Sequence, residues 1–362
     1  MAPPIRSDRL MTAFLVAGLI LVATIFLVYG SGIFIPLAVA LLIWFLINAV
    51  AASYQKLSIS GMSLPRPVAI SLSLVTIFAA GFLMVNVVVT NVTAMSADSV
   101  TFEQSLDPLI NQISDYFNIT DQVALNDIFD KIGFESLLSQ IISAMASFAS
   151  QVGIVVIYVL FLMVEQQFFD VKMRALVRDE ARRSWINGIL RRVARDVQSY
   201  MWIMTIVSAM TAGLSYLVMV WVGLEYAPFW AFLIFILNFI PTIGSIVSTM
   251  FPCVFALLQF QNFGPALLLL VVIGAIQFVI GNIVQPRLAG RMLNMSGFVV
   301  ILALFVWGAL WGIAGMFLAV PITAILMIIL SNFDSTRPVA ILMSQAGDIE
   351  SMQESNPTSS KV

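Results

Sequence analysis

The stretch YAPFWAFLIFILNFIPTIGSIVSTMFPCVFALLQFQNFGPALLLLVVIGAIQFVIGNIVQP, Tyr226 to Pro286, runs for 61 residues without an acidic or basic side chain. It is punctuated by prolines, glycines and amides that an uninterrupted spanning helix avoids. Unwound backbone in hydrocarbon leaves peptide groups without partners, so helices break inside a membrane only where protein or a water-filled cavity surrounds the break. Transporters use such breaks to hold solutes near the midplane.

Composition extends this reading to the whole chain. Of 362 residues, 60% are apolar and only 10% charged, and the mean hydropathy is +1.01, beyond the range of a soluble domain. Histidine is absent and Cys253 is the single cysteine. Disulfides, Cys/His metal sites and His-dependent triads are therefore excluded, and no cofactor, no metal and no enzymatic activity are expected. The net charge of −2 is uninformative, whereas its distribution along the chain carries the topology.

Outward from the opening stretch, apolar runs predict helices at Leu10–Tyr29, Ile33–Ala52, Val68 to about Val92, Val152–Val164, Met201–Val222 and Ala266–Val284, each near the length that crosses about 30 Å of hydrocarbon. The first run follows Arg6 and Arg9 and has a signal peptide as its alternative, but it is long for one and lacks a cleavage site. The break Gly30-Ser31-Gly32 predicts a tight hairpin with Pro36 near the start of the returning helix. Two longer runs remain. Glu225–Gln259 is interrupted at Pro241, Thr242, Ile243, Gly244 and Ser245, and Gly297–Leu330 at Gly308, Gly312 and Gly315. Each reads as a helical hairpin that enters and leaves on one side, with a single tilted helix or two ordinary spans as the alternatives. The fold class is thus all-α: a polytopic membrane protein with six full crossings and two broken or re-entrant hairpins, about eight membrane segments. Helix plus hairpin, then helix plus hairpin in the opposite orientation, also reads as an inverted repeat in the C-terminal half.

The domain layout follows. Residues 1–92 form three membrane helices; 93–150 hold an acidic segment whose apolar spacing predicts amphipathic helices packed as a cap; 151–165 form the fourth helix, ending at Glu165. Residues 166–199 carry eight lysines and arginines beside a helical apolar stripe and read as a surface helix facing lipid headgroups. Nucleic acid is the weaker partner for that helix, and none is expected. Residues 200–331 form the transport core and 332–362 a polar tail. Basic residues in the N-terminal tail, at Lys56 and Arg66, and between Gln166 and Ser199 place those segments and both termini in the cytoplasm.

Candidate site residues cluster around the breaks. Asn238, Pro241, Thr242, Gly244 and Ser245 flank the first, and Gln277, Gly281 and Asn282 lie on the next helix. Amides in membrane helices either bind solute or tie helices together, and both roles stay open for Asn238 and Asn282, while Gln277 reads more as a tie. Trp307, Gly308, Trp311, Gly312, Gly315 and Pro321 read as packing or turn positions. Pro286, Arg287 and Arg291 follow the sixth helix, and the two arginines would anchor headgroups, cap a helix or gate with Glu165. Proton coupling needs an intramembrane acid, and Glu165 and Glu225 lie only at helix ends.

Three blocks in order, N-F-I-P-T-I-G-S from Asn238, G-N-I-V-Q-P-R-L-A-G-R-M-L from Gly281 and W-G-A-L-W-G-I-A-G-M-F-L-A-V-P-I-T-A from Trp307, resemble the autoinducer-2 exporter family of bacterial membrane proteins. Weaker likeness covers F-I-P-L-A-V-A-L-L-I-W-F-L from Phe34 and V-L-F-L-M-V-E from Val159. The resemblance implies an inner-membrane homo-oligomer, bound by membrane lipid, that exports a small polar solute, in some members the quorum-sensing signal autoinducer-2. Other relatives are associated with sodium/proton antiport, which is the alternative function. A membrane scaffold or sensor is the alternative of another class. Met295-Ser296-Gly297-Phe298 departs from the family pattern, where many relatives place a proline after the serine.

Overall fold

The computed structural model describes residues 7–56, 64–97, 134–289 and 294–347. Arg291 and most of the expected acidic cap lie outside the described residues. The described residues form helices and turns: α1 Ser7–Tyr29, α2 Ser31–Lys56, α3 Arg66–Ala97, α4 Phe134–Glu165, α5 Phe169–Leu176, α6 Glu180–Val222, α7 Ala227–Leu237, α8 Ile243–Phe260, α9 Phe263–Val279, α10 Gly297–Ser331 and α11 Arg337–Met343. Among them, seven helical segments are long and apolar enough to cross a membrane, and α1 and α7 contain shorter apolar helices. The protein is an all-α, multi-pass membrane protein.

The chain divides into two units. One comprises Met1–Ile43, Ile154–Leu190 and Asn294–Val362, the other Trp44–Gly153 and Arg191–Leu293.

The second unit holds the first hairpin. α7 and α8 pack along each other, with the Trp230 and Phe255 rings 5.2 Å apart. At the open end, the Glu225 N–H donates to Gln259 Oε1 at 2.8 Å and Gln259 Nε2 donates to the Gly223 carbonyl at 2.9 Å. Gln259 therefore latches the two open ends of the helix pair at one level. The break itself is Asn238–Thr242; Gly244 and Ser245, expected within it, already belong to the first turn of α8. α3 packs against α7 and α9 against α8.

α9 does not end at Pro286 as the sequence suggested. It continues through a π-helical turn, Ile280–Val284, into a last turn, Gln285–Ala289. Pro286 has no N–H and its ring crowds the carbonyl four residues back, and the widened turn absorbs this, the Gln285 N–H reaching the Ile280 carbonyl.

The other unit holds the second hairpin, within α10. Trp311 (φ −130°, ψ 15°) and Gly312 (φ 60°, ψ −140°) leave helical geometry. Trp307 Nε1 donates to Thr323 Oγ1 at 3.1 Å across 16 residues; in a continuous helix those residues would lie about 24 Å apart. The chain therefore reverses, and of the three glycines expected to interrupt it, Gly312 makes the turn.

Two expectations are corrected. The basic segment is not one surface helix: it breaks at Val177–Asp179, and its second half is the start of the 43-residue α6, continuous with the apolar run that follows. Val193, Val197, Met201 and Met204 form one buried stripe that carries the helix across this change of composition. The tail beyond Asn332 is also not simply polar. α11 packs against α10, Ala340 is buried with Met327 beside Met295 and Leu330, and Met295 pairs with Ser344 in an antiparallel bridge. Ser296 caps α10, its Oγ accepting from the Val299 N–H at 3.2 Å.

Candidate functional site

The tip of the first hairpin is strained. Thr242 adopts φ 62° and ψ −59°, and the Ile243 N–H donates to the Pro241 carbonyl at 2.6 Å, a γ-turn of the rare hand with positive φ at its centre. A β-branched residue there is a genuine outlier, and such strain persists only where surrounding structure imposes it. The closure is set by Gly244. A Cβ on it would lie inside the contact radius of the Leu237 carbonyl oxygen and 3.1 Å from Ile240 Cβ. Only glycine admits so close an approach.

Around this tip the fold collects uncharged polar side chains from three helices. Asn238 Nδ2 donates to Ser208 Oγ on α6 at 3.1 Å. Gln277 Nε2 on α9 donates to Ser248 Oγ on α8 at 2.9 Å, and Ser248 Oγ donates onward to the Ser245 carbonyl at 3.2 Å. Thr249 Oγ1 also donates to Ser245 O, at 2.9 Å. Ser208, Thr211 and Ser248 are essentially inaccessible.

The antiparallel register makes this a layer rather than a scatter. The Gln259 latch sets α7 against α8 so that Ser248 stands level with residues just before Asn238. The Asn238–Ser208 bond then aligns α6 with both. Ser208 and Thr211 are one turn apart on α6.

The remaining candidates divide. Ser245 Oγ donates to its own turn at Thr242 O. Gly281 and Asn282 are exposed, and Asn282 Nδ2 donates to Phe278 O one turn back at 3.0 Å. Of the two amides left open on the sequence, Asn238 thus joins the layer and Asn282 does not. Pro286 and Arg287 are exposed too, whereas Gln285 Nε2 reaches Met204 Sδ at 3.6 Å. Glu165 is exposed and paired with Lys172. In the second hairpin, Trp311 Nε1 donates to the Leu27 carbonyl at 2.9 Å, the Trp307 and Trp311 rings lie 5.3 Å apart, and a Cβ on Gly308 would meet Met316 Cε at 2.9 Å. Pro321 is buried in the returning arm.

Sequence reasoning missed Ser208, Thr211, Ser248 and Thr249. The signal was present as small hydroxyl residues three apart on one face of α6 and as a Ser-Thr pair one turn into α8.

A charge-free, broken helix pair bonded through buried polar side chains to its neighbouring helices is that of a polytopic membrane protein. The family model described as AI-2E family transporter matches residues 11–334, and the chain belongs to that family. It is 27% identical over 351 residues to AI-2 transport protein TqsA of Escherichia coli K12, covering 95% of this chain and 98% of that protein. It is 33% identical over 208 residues to YhhT of the same organism, covering 58% and 57%. A protein of Borreliella burgdorferi is 29% identical over 224 residues, 62% of each chain. The chain thus spans less than two thirds of the length of those last two relatives.

Proposed function

We propose that this protein exports a small polar solute through the layer at the tip of the first hairpin. Autoinducer-2 is the candidate, because TqsA, similar along nearly its whole length, carries that signal in its name. The observation that carries the reading is the meeting of strained Thr242 with the hydrogen-bonded layer Asn238–Ser208 and Gln277–Ser248 inside a charge-free stretch. The layer lies about half-way along both the apolar part of α6 and the Phe263–Leu288 helix, where a solute site open alternately to the two sides belongs.

In this reading both hairpins re-enter a bacterial inner membrane from opposite sides, as an inverted repeat. The termini and the basic residues of α5 and α6 are cytoplasmic, the 93–150 segment is outside, and the protein works as a homo-oligomer in lipid. Sodium/proton antiport has less support: Glu165, the acid it would need, is exposed and held by Lys172.

The test is export of autoinducer-2 from proteoliposomes. Asn238→Ala is expected to cut the initial rate at least tenfold, while Glu165→Gln leaves it within a factor of two. Equal rates for wild type and Asn238→Ala would sink the assignment of the layer, and a rate that falls with Glu165→Gln would favour antiport.

A further inference from the structure

The hydrogen bonds of the layer have a direction, and it bears on which solutes the layer accepts. One N–H of each amide is engaged, Asn238 Nδ2 donating to Ser208 Oγ and Gln277 Nε2 to Ser248 Oγ. The hydroxyl of Ser248 donates to the Ser245 carbonyl and that of Thr249 to the same oxygen, while Thr211 Oγ1 donates to Val207 O at 2.8 Å. Gln277 Oε1, by contrast, is enclosed and accepts from nothing. A buried amide oxygen without a donor is a poor resting arrangement, because it has given up water and received nothing in exchange. The bond from its own amide nitrogen to Ser248 Oγ ties the Gln277 side chain to α8.

We infer that Gln277 Oε1 is the specificity-determining acceptor of the layer, and that it selects neutral, hydroxyl-donating solutes such as polyols over anions of the same size. This rests on the transport reading above and deepens it. The chemistry is one of sign. A solute hydroxyl completes the vacant bond, as the site's buried polar group then gains its partner. A carboxylate or phosphate offers only acceptors, which face Gln277 Oε1 lone pair to lone pair. The charge-free stretch Tyr226–Pro286 provides no cation to offset an anion's desolvation. A bare cation meets the complementary obstacle, since the same stretch has no carboxylate to pair with it. Among the described residues, the other enclosed polar atoms of this unit without a partner lie away from Asn238 and Ser208: Trp230 Nε1 is eight residues back along α7 from Asn238, while on α6 the Tyr200 hydroxyl lies eight residues before Ser208 and Ser215 Oγ seven beyond it, about two helical turns in each case.

The experiment compares ribitol with ribonate, which differ by one terminal carboxylate, as labelled solutes in proteoliposomes of the full chain. Wild type is expected to carry ribitol at least tenfold faster than ribonate at equal concentration. Gln277→Leu should raise the half-saturating ribitol concentration about tenfold, the worth of one hydrogen bond to an enclosed group, with its maximal rate and its melting temperature in detergent little changed. Gln277→Asn, which keeps the acceptor on a shorter stem, should recover part of the loss. Equal transport of ribitol and ribonate by wild type, or an unaltered half-saturation in Gln277→Leu, would overturn the inference. The transport reading fails separately, through a normal rate in Asn238→Ala, so a protein in which Asn238→Ala is inactive while Gln277→Leu is unaffected refutes only the role of Gln277.

Discussion

The tips of the two hairpins, Asn238–Gly244 and Trp307–Gly315, close by the same device and are furnished differently. In each, a buried glycine four residues after an apolar side chain lets a carbonyl from the outgoing arm approach where a Cβ would stand: Leu237 against Gly244, and Trp307 against Gly315. Ile240 Cβ and Trp311 Cβ then lie 3.1 and 3.0 Å from the missing group. Shared closure is what an internal duplication would leave behind. The furnishing diverges. The first tip places threonine at positive φ and is surrounded by hydroxyls and amides, while the second gives the unusual backbone to Gly312 and fills its surroundings with two indoles, each of whose N–H groups has a protein partner. Strained backbone therefore belongs to the first hairpin, with the unmet acceptor Gln277 Oε1 on the neighbouring α9, and satisfied packing belongs to the second.

The comparison can be broken most sharply at the closing glycines. Gly244→Val and Gly315→Val should each cost about 4 kcal/mol, or prevent folding, because the added atoms meet backbone that cannot yield. Thermal unfolding in detergent measures this, and tolerance at either position would show that the two closures are not equivalent. The next effect has opposite signs at the two turns. Gly312→Ala forces a side chain into backbone only glycine adopts readily and should lose about 2 kcal/mol, whereas Thr242→Gly relieves strain and should gain about 1 kcal/mol. A loss in both would mean that Thr242 is not strained. The smallest effect is expected from Trp307→Phe, which removes the bond to Thr323 for about 1 kcal/mol and should leave export within twofold of wild type. A severe transport defect there would give the second hairpin a role in the pathway that its packing does not suggest.

The helix breaks were legible in the amino-acid sequence because proline, glycine and amides recur where an uninterrupted apolar helix would exclude them. Their exact turns were less so. Pro241 and Gly244 mark the first break, yet the break begins at Asn238 and Gly244 is already helical; glycine serves there through what it permits a carbonyl from the preceding helix to do, which has no local signature. Pro286 looked like an end because proline usually stops helices, but one wide turn let the helix pass it. Asn238 and Asn282 were equivalent as residue types in apolar surroundings, and only the tertiary structure gave Asn238, just past the end of α7, a partner in Ser208 on α6 while Asn282 turned back to its own helix.

By itself the amino-acid sequence determined that this chain is helical, crosses a membrane repeatedly and breaks its helices in an uncharged region, because hydropathy and backbone chemistry act over a few neighbouring residues. Only the tertiary structure decided which polar groups meet, since a serine in a membrane helix can satisfy itself one turn back and reveals an outside partner only when another helix arrives. The layer of Ser208, Asn238, Ser248 and Gln277 exists through antiparallel register, and register is a property of packed helices rather than of any one of them.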